Sequence, residues 1–397
     1  MKIKKLILKN FRQFEDVEFD FTDADGKVLD VVVLAGVNGS GKSTILNFIS
    51  DVFSRQVDPW FKGFFELDFS KDSLFNGLKT YTLGEKENHS NRNAIFNDID
   101  NLRINMEFPT IPAQSNAFDI THLFNRGNIK KNNFINENSE LITFEVTEQK
   151  ILNDLQKSVF SNEHKTPFEV KNNVISSLNR GLEALKTNIR LVNIEFDKLL
   201  FSNEKKNDLS FSDLSNGEQQ LFFQIFTLHN LNLNNGILLI DEPEDAMHPT
   251  WQREILNVYK GIGHNNQVFV ATHSPQILAS VKPESLFVLS IDEDTHKIQV
   301  TNMAKAHQNT KGLEPNRILS EIMGTPLRDY ETQARIDALN ELIREAQPAP
   351  NGTLETIETD LEELTKDLGR QDGAIMRFNH EVMLLKRKKA ALGHEIH

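Results

Sequence analysis

The stretch Gly36-Val37-Asn38-Gly39-Ser40-Gly41-Lys42-Ser43 fits GxxxxGK[ST] and decides the architecture. Ahead of it, Val31-Val32-Val33-Leu34 is a β-branched apolar run, the pattern of a strand buried on both faces of a parallel sheet. Behind it, Thr44-Ile45-Leu46-Asn47-Phe48-Ile49 opens a helix. Strand, glycine-rich loop and helix together form a phosphate cradle. The glycines let backbone N–H groups converge on phosphate oxygens, and the helix N-terminus adds a favourable dipole. The loop positions Asn38, Gly39, Ser40 and Gly41, with Thr44 just after, are expected to line that cradle. Lys42 is expected to set its charge against the β- and γ-phosphates, and Ser43 to offer an oxygen to Mg²⁺. A nucleoside-triphosphate site follows.

Three further motifs lie downstream. Ile237-Leu238-Leu239-Ile240-Asp241-Glu242 is an apolar strand ending in two acids. At the carboxyl end of a parallel strand beside a phosphate loop, the first acid suits the Mg²⁺ shell and the second suits the attacking water. Ahead of it, in Leu214-Ser215-Asn216-Gly217-Glu218-Gln219-Gln220, a serine and a glycine open a helix whose free N–H groups suit an anion. Ser215 with Glu218 three residues on also reads as a capping box, and the two readings are compatible. Thr272-His273-Ser274-Pro275 follows the strand around Val268. A lone histidine is more often structural, but its order behind the other motifs points to the γ-phosphate or the water.

Bulk composition narrows the class. The chain has 397 residues, with a hydrophobic share of 39% and a charged share of 25%, in the range of soluble globular proteins. No apolar run reaches the roughly 18 residues that span a bilayer. The apolar Leu6-Ile7-Leu8 behind the basic start is too short for a signal peptide, so a cytoplasmic location and no membrane partner are expected. With no cysteine, disulfides, Cys-ligated zinc and thiol catalysis are excluded. The net charge of −13 opposes broad non-specific affinity for nucleic acid but leaves a local basic groove open. The run Lys386-Arg387-Lys388-Lys389 fits a solvated helix end better than such a patch.

Periodicity divides the rest. Ile3, Leu6 and Leu8, then Val17, Phe19 and Phe21, alternate with polar residues and predict an antiparallel hairpin turning between Asn10 and Asp16. Residues from about Asp51 to Asn138 read as irregular insertions around short strands such as 102–108, with a further strand over Leu141–Val146. From Glu148 to Leu191 the spacing is helical. Strands are expected again near Ile237–Ile240, Val268–Ala271 and Ser285–Ser290, with helix between. Such alternation implies a parallel sheet with helices on both faces. The acids at Asp292-Glu293-Asp294 fit a turn leading to a hairpin better than a metal site. Beyond the breaker Gln347–Gly352, Leu354, Ile357, Leu361, Leu364 and Leu368, then Ile375, Phe378, Val382 and Leu385, predict a helical hairpin. Its seam packs either on itself and the core or on another protein.

The motifs GVNGSGKS, LSNGEQ, LLIDEPE and THS, in that order, resemble the ATP-binding-cassette ATPase superfamily. The opening Leu8-Lys9-Asn10-Phe11-Arg12-Gln13-Phe14 resembles its SMC, RecF and OLD branch, as does Glu244-Asp245-Ala246-Met247-His248-Pro249 against the pattern E-x-x-L-H-P. The region from Gly312 to Glu345 is similar to the tail of stand-alone bacterial ATPases, among them those of Septu and retron anti-phage systems. The resemblance covers residues 1–50 and 205–345. It implies an α/β fold: a P-loop ATPase head of the ABC type with a mixed sheet, an N-terminal antiparallel hairpin, a helical insertion lobe and a C-terminal helical hairpin. The expected division is 1–50 and 205–310 for the head, 51–204 for the insertion lobe and 311–397 for the helical region.

The resemblance also implies roles. ATP and Mg²⁺ are the expected cofactors. Lys42 and the loop amides hold phosphates, Ser43 and Asp241 hold Mg²⁺, Glu242 is the base and His273 senses the γ-phosphate. Ser215, Gly217 and Glu218 close over ATP bound to a second copy, making a homodimer with the nucleotide sandwiched; higher assemblies stay open. His248 falls in the segment that communicates across the dimer, and Arg12 matches an arginine that reaches towards nucleotide. Gln114 is the candidate for the family's Q-loop glutamine. From Thr301 onward the chain offers heptad helices and no acid cluster at metal spacing. An effector nuclease, of HNH type, is therefore expected as a separate partner of an anti-phage switch. The alternative is a RecF- or SMC-like DNA repair ATPase, for which nucleic acid would be the partner.

Overall fold

In the computed structural model, residues 2–53, 62–68, 78–83, 117–119, 144–161, 165–195, 198–231, 236–245, 247–292, 295–325, 327–346 and 354–394 are described. Two compact units divide the chain, Met1–Ile318 and Leu319–His397.

The first unit opens with β1 (Lys2–Phe11) and β2 (Phe14–Asp20), paired antiparallel so that Phe11 faces Phe14 across a two-residue turn. Every apolar position picked out by the alternation is buried: Ile3, Leu6, Leu8, Val17, Phe19 and Phe21. Arg12 in the turn and Asn10 beside it both have positive φ, near +50°. Next come β3 (Val31–Gly36), wholly buried, and α1 (Lys42–Phe53).

Three short strands are described in the stretch after α1, where the sequence predicts short strands among irregular insertions. β4 (Lys62–Asp68) pairs with β1, and β5 (Leu78–Leu83) pairs with β4, extending the hairpin to an antiparallel sheet of order β2-β1-β4-β5. β6 (Ala117–Asp119) joins the core sheet beside a later strand. The expected strand at 102–108 and the candidate Gln114 lie outside the described residues.

Two expectations about the insertion are corrected. Phe144–Val146 are not strand but the first turn of α2 (Phe144–Ser161). The local β-propensity of Phe and Val yields to the helical period set by the buried Ile151 and Leu152 and continued by Leu155 and Val159. Helix then gives way to strand earlier than expected. α3 (Pro167–Ala184) is followed by a hairpin of β7 (Arg190–Ile194) and β8 (Leu199–Ser202). The buried positions Ile189 and Leu191 are two apart, so the period changes from 3.6 to 2 there. The Asn179 side chain acts as a neighbouring strand: it donates to Leu191 O at 2.8 Å and accepts from Leu191 N–H at 2.9 Å.

The remaining elements of this unit follow the predicted alternation: α4 (Asn216–Leu231), β9 (Ile237–Asp241), α5 (Pro249–Lys260), β10 (Gln267–Thr272), the short α6 (Pro275–Leu278), β11 (Leu286–Ile291) and β12 (Ile298–Asn302). The core sheet has the order β12-β11-β3-β10-β9-β6, parallel except for the edge strand β12. One face of it packs on α1 and the antiparallel sheet, where Phe19, Phe21, Phe269 and Phe287 meet. The fully buried Gln267 ties the layers, accepting from Ile3 N–H at 2.7 Å and donating to Ile3 O and Leu29 O. This is the mixed α/β sheet, with a phosphate-loop strand inside it and an N-terminal antiparallel hairpin against it, that the motifs predict. No helix among the described residues is long and apolar enough to cross a membrane.

Among the described residues of the second unit, a long helix precedes the two of the expected hairpin. α7 (Tyr330–Ala346) joins α8 (Leu354–Leu368) and α9 (Gly373–His394). Ile336, Leu339, Ile343 and Ala346 of α7 complete a core with the predicted seam residues, of which Leu368 alone is partly buried. The seam is thus covered by α7 as well as by its own partner helix. Lys386 of the basic run pairs with Glu358 of α8.

Candidate phosphate-loop site with paired acids and a histidine

The register of the core sheet brings three strand ends level. Ala35 of β3 faces Thr272 of β10, and Asp241 of β9 faces Ala271. The loops leaving these ends carry the predicted residues, so a site forms at the carboxyl edge of the sheet, where open α/β sheets bind ligands.

Glycine geometry shapes the phosphate loop at two positions. Gly36 has φ +148°, and a Cβ there would lie 2.3 Å from Leu289 O. Gly41 has φ +95°, and its Cβ would meet the Phe14 ring at 2.6 Å. The tip of the β1–β2 hairpin therefore lies against the loop, and this puts Arg12 in its neighbourhood. Arg12 is exposed, with its guanidinium 5.5 Å from the Phe11 ring centroid, and Phe11 packs edge-on against Phe48 of α1.

Asn38 and Gly39 are exposed on the loop, Ser43 is exposed at the start of α1 and Thr44 is half-buried. Ser40 is fully buried, and its Oγ has no hydrogen-bond partner among the described residues. An orphaned hydroxyl inside a phosphate loop fits a ligand-binding role, since buried polar groups are otherwise satisfied. Lys42 is buried and donates to Gly36 O at 2.8 Å and Val37 O at 3.1 Å. Burial pushes its pKa down, and the charges of Glu242, Asp241 and Glu244 partly offset that. The structure thus brings Lys42 and the two predicted acids together.

Glu242 sits at φ +49°, a left-handed conformation that costs a non-glycine residue about 1 kcal/mol. Its N–H donates to Ala271 O at 2.8 Å, continuing the parallel ladder between β9 and β10. Its Oε1 lies 3.4 Å from His273 Nδ1. Both side chains retain solvent access, 33% for Glu242 and 46% for His273. The set Ser43, Asp241 and Glu242 offers oxygen donors only, the chemistry of a hard cation. Mg²⁺ needs one or two such protein ligands when phosphates and water supply the rest. No group of three His, Asp or Glu side chains that would cage a metal occurs among the described residues.

Sequence reasoning quoted Glu244 within a motif but gave it no role. It is buried, and its Oε1 accepts from Thr272 Oγ1 at 2.6 Å and from His273 N–H at 2.8 Å, while lying 3.4 Å from His273 Nδ1. Burial raises its pKa, and the Thr272 hydrogen bond works against that rise. The inward position of Glu244 comes from contacts distant in sequence, and once buried there the carboxyl has no water to keep its charge.

Ser215, Gly217 and Glu218 form a separate cluster at the start of α4. Glu218 Oε2 accepts from both Ser215 N–H, at 2.8 Å, and Ser215 Oγ–H, at 2.7 Å. The Glu218 carboxylate on Ser215 N–H is the glutamate half of the expected capping box. A carboxylate resting on this helix N-terminus occupies the place suited to an anion. His248 is exposed and N-caps α5, its Nδ1 accepting from Thr250 N–H at 3.3 Å.

A family model described as "AAA domain, putative AbiEii toxin, Type IV TA system" matches residues 31–279, more than half of the chain. The chain belongs to this AAA-domain family. A second model, described as "AAA domain", matches residues 1–54. Among curated proteins, the Septu protein PtuA of Bacillus thuringiensis is 30% identical over 106 residues, 27% of this chain and 26% of PtuA. The retron Ec83 probable ATPase of Escherichia coli is 28% identical over 172 residues, 39% of this chain and 30% of that protein. The DNA double-strand break repair Rad50 ATPase of Methanosarcina mazei is 30% identical over 118 residues, 26% of this chain and 10% of Rad50. The chain therefore covers less than a third of the length of any of these relatives.

Proposed function

We propose that this AAA-domain protein binds ATP with Mg²⁺ and hydrolyses it slowly, as a homodimeric switch in bacterial anti-phage defence that controls a separately encoded nuclease of HNH type. One observation carries the hydrolytic part. A partly exposed carboxylate, Glu242, stands 3.4 Å from His273 at the carboxyl edge of the sheet, in the field of a buried lysine on a phosphate loop.

Lys42 leaves the carbonyls of Gly36 and Val37 and donates to the phosphates. Ser43 and Asp241 would hold Mg²⁺, which when bound neutralises charge on the phosphate oxygens. Water attacks the γ-phosphorus, the bond to the β-phosphate oxygen breaks, and Glu242 takes the water's proton. His273 hydrogen-bonds the γ-phosphate, and Arg12 reaches towards the nucleotide from the hairpin. The second copy closes the site with Ser215 and Gly217, its Glu218 carboxylate giving way to the γ-phosphate. Replacing Glu242 with Gln is expected to keep ATP binding while lowering turnover by about 10²–10⁴-fold; turnover at the wild-type rate would refute the role given to Glu242.

The defence role draws on the likeness to the Septu and retron proteins. Pull-down of the tagged protein from native extract is expected to recover a nuclease with it, and recovery of the protein alone would count against the effector. The likeness to Rad50 keeps a DNA repair ATPase as the second reading. Hydrolysis strongly stimulated by DNA and lost as salt rises would favour it.

A further inference from the structure

We propose that Glu244 positions His273, fixing the loop that carries it and the orientation of its imidazole. The inference rests on the hydrolytic reading above, since it assigns a task to the same site.

The two carboxylates that face His273 Nδ1 at 3.4 Å are not equivalent. Glu242 reaches the histidine only through the side chains and keeps a third of its own surface in solvent. Glu244 is 6% exposed and holds the loop by two hydrogen bonds, from the Thr272 hydroxyl and the His273 backbone N–H, while its Oε1 lies 3.4 Å from the imidazole Nδ1. Water does not compete for such bonds, so they hold the loop tightly.

The grip is braced from behind. Thr272 Oγ1 accepts from Ser274 N–H at 2.9 Å. Ser274 Oγ donates to Gln252 Oε1 at 2.6 Å, and Gln252 Nε2 donates to Met247 O at 3.0 Å. Both ends of the histidine loop are thereby fastened to the turn that follows Glu242. With two carboxylate oxygens 3.4 Å from Nδ1, the proposed orientation has the ring proton on Nδ1 and leaves Nε2 as the nitrogen for a ligand. A second residue that orients a histidine in this way is a recurrent device where ring orientation matters.

The test reads the ring without nucleotide. Long-range proton–nitrogen correlation spectra of the full-length protein, with His273 assigned by loss of its signals in His273→Asn, should show a proton on Nδ1. Glu244→Ala should shift these signals towards the averaged pattern of an exposed histidine, and Glu244→Gln, which keeps an acceptor oxygen, should restore them. In steady-state kinetics Glu244→Ala should lower kcat by about 10–100-fold with little change in KM, and the Gln variant should recover most of it. Should Glu244→Ala fail to fold, Thr272→Val reads the same network and is expected to move the His273 signals. Unchanged His273 signals in the Ala or Val variant would overturn the proposal, whatever the activity. A wild type with the expected ring signals but no ATP turnover would instead overturn the hydrolytic reading and leave the role of Glu244 standing.

Discussion

The ring of Phe14 stands 2.6 Å from the point where a Cβ on Gly41 would sit, so the hairpin tip and the phosphate loop are packed without room for a methyl group. Gly39, two residues earlier on the loop, has φ +83° but nothing within 4 Å of its Cβ position. The contrast gives a prediction. Gly41→Ala incurs both backbone strain and the clash, about 2–4 kcal/mol, and should lower the melting temperature and abolish tight ATP binding. Gly39→Ala incurs only the backbone term, about 1 kcal/mol. Thermal melts with ATP titrations check the pair, and equal effects at the two glycines would contradict the packing argument.

Lys42 is held in this structure by two loop carbonyls, and its desolvated ammonium is offset by three carboxylates. Lys42→Ala should weaken ATP by about 1.5–3 kcal/mol, roughly 10–100-fold in Kd. Titration calorimetry reads this directly, and an affinity unchanged by the substitution would deny Lys42 its phosphate.

The pH dependence of stability follows from Glu244. Its pKa in the folded protein is raised, burial being the main cause. A carboxyl of this kind favours the fold fully below its unfolded pKa of about 4.5, and that contribution is lost as pH rises through the folded value. Glu244→Gln removes the titration. The melting temperature of the variant relative to wild type should therefore be higher at pH 8 than at pH 4.5. A difference that is flat or runs the other way would show that Glu244 is not held as a desolvated carboxyl.

Much of the head was legible in the sequence, and the reason is physical. The parallel strands β3, β9 and β10 are buried on both faces, so they read as unbroken apolar runs, and the residues after Gly36, Ile240 and Ala271 read as chemistry. The hairpin was legible because Ile3 to Phe21 bury one face only. The helical insertion was harder. Phe144–Val146 look like strand locally, but the helical period of α2 overrides them. β7 was hidden because Leu185, Ile189 and Leu191 can be read at either period. α7 falls in the region expected to be helical but was not placed as an element: Ile336, Leu339 and Ile343 keep helical spacing, but their burial depends on α8 and α9. Glu244 was quoted in a motif but left without a role because nothing local says that a turn residue faces inward; Thr272 and His273, nearly thirty residues away, make it so.

The second unit has its own core, in which Phe378 is fully buried. Phe378→Ala should cost about 3–5 kcal/mol there. Hydrogen exchange is expected to accelerate across α7, α8 and α9, with ATP affinity unchanged. Protection retained in those helices would mean that the seam does not hold them together.

The account depends most on two copies sharing each nucleotide, because Ser215 and Gly217 lie in a cluster of their own at the start of α4. The direct measurement is the solution mass of Glu242→Gln by light scattering, with and without Mg-ATP. Twice the chain mass with Mg-ATP, reverting on introduction of Ser215→Arg, is the predicted result. A protein that binds ATP and keeps the mass of one chain would contradict it.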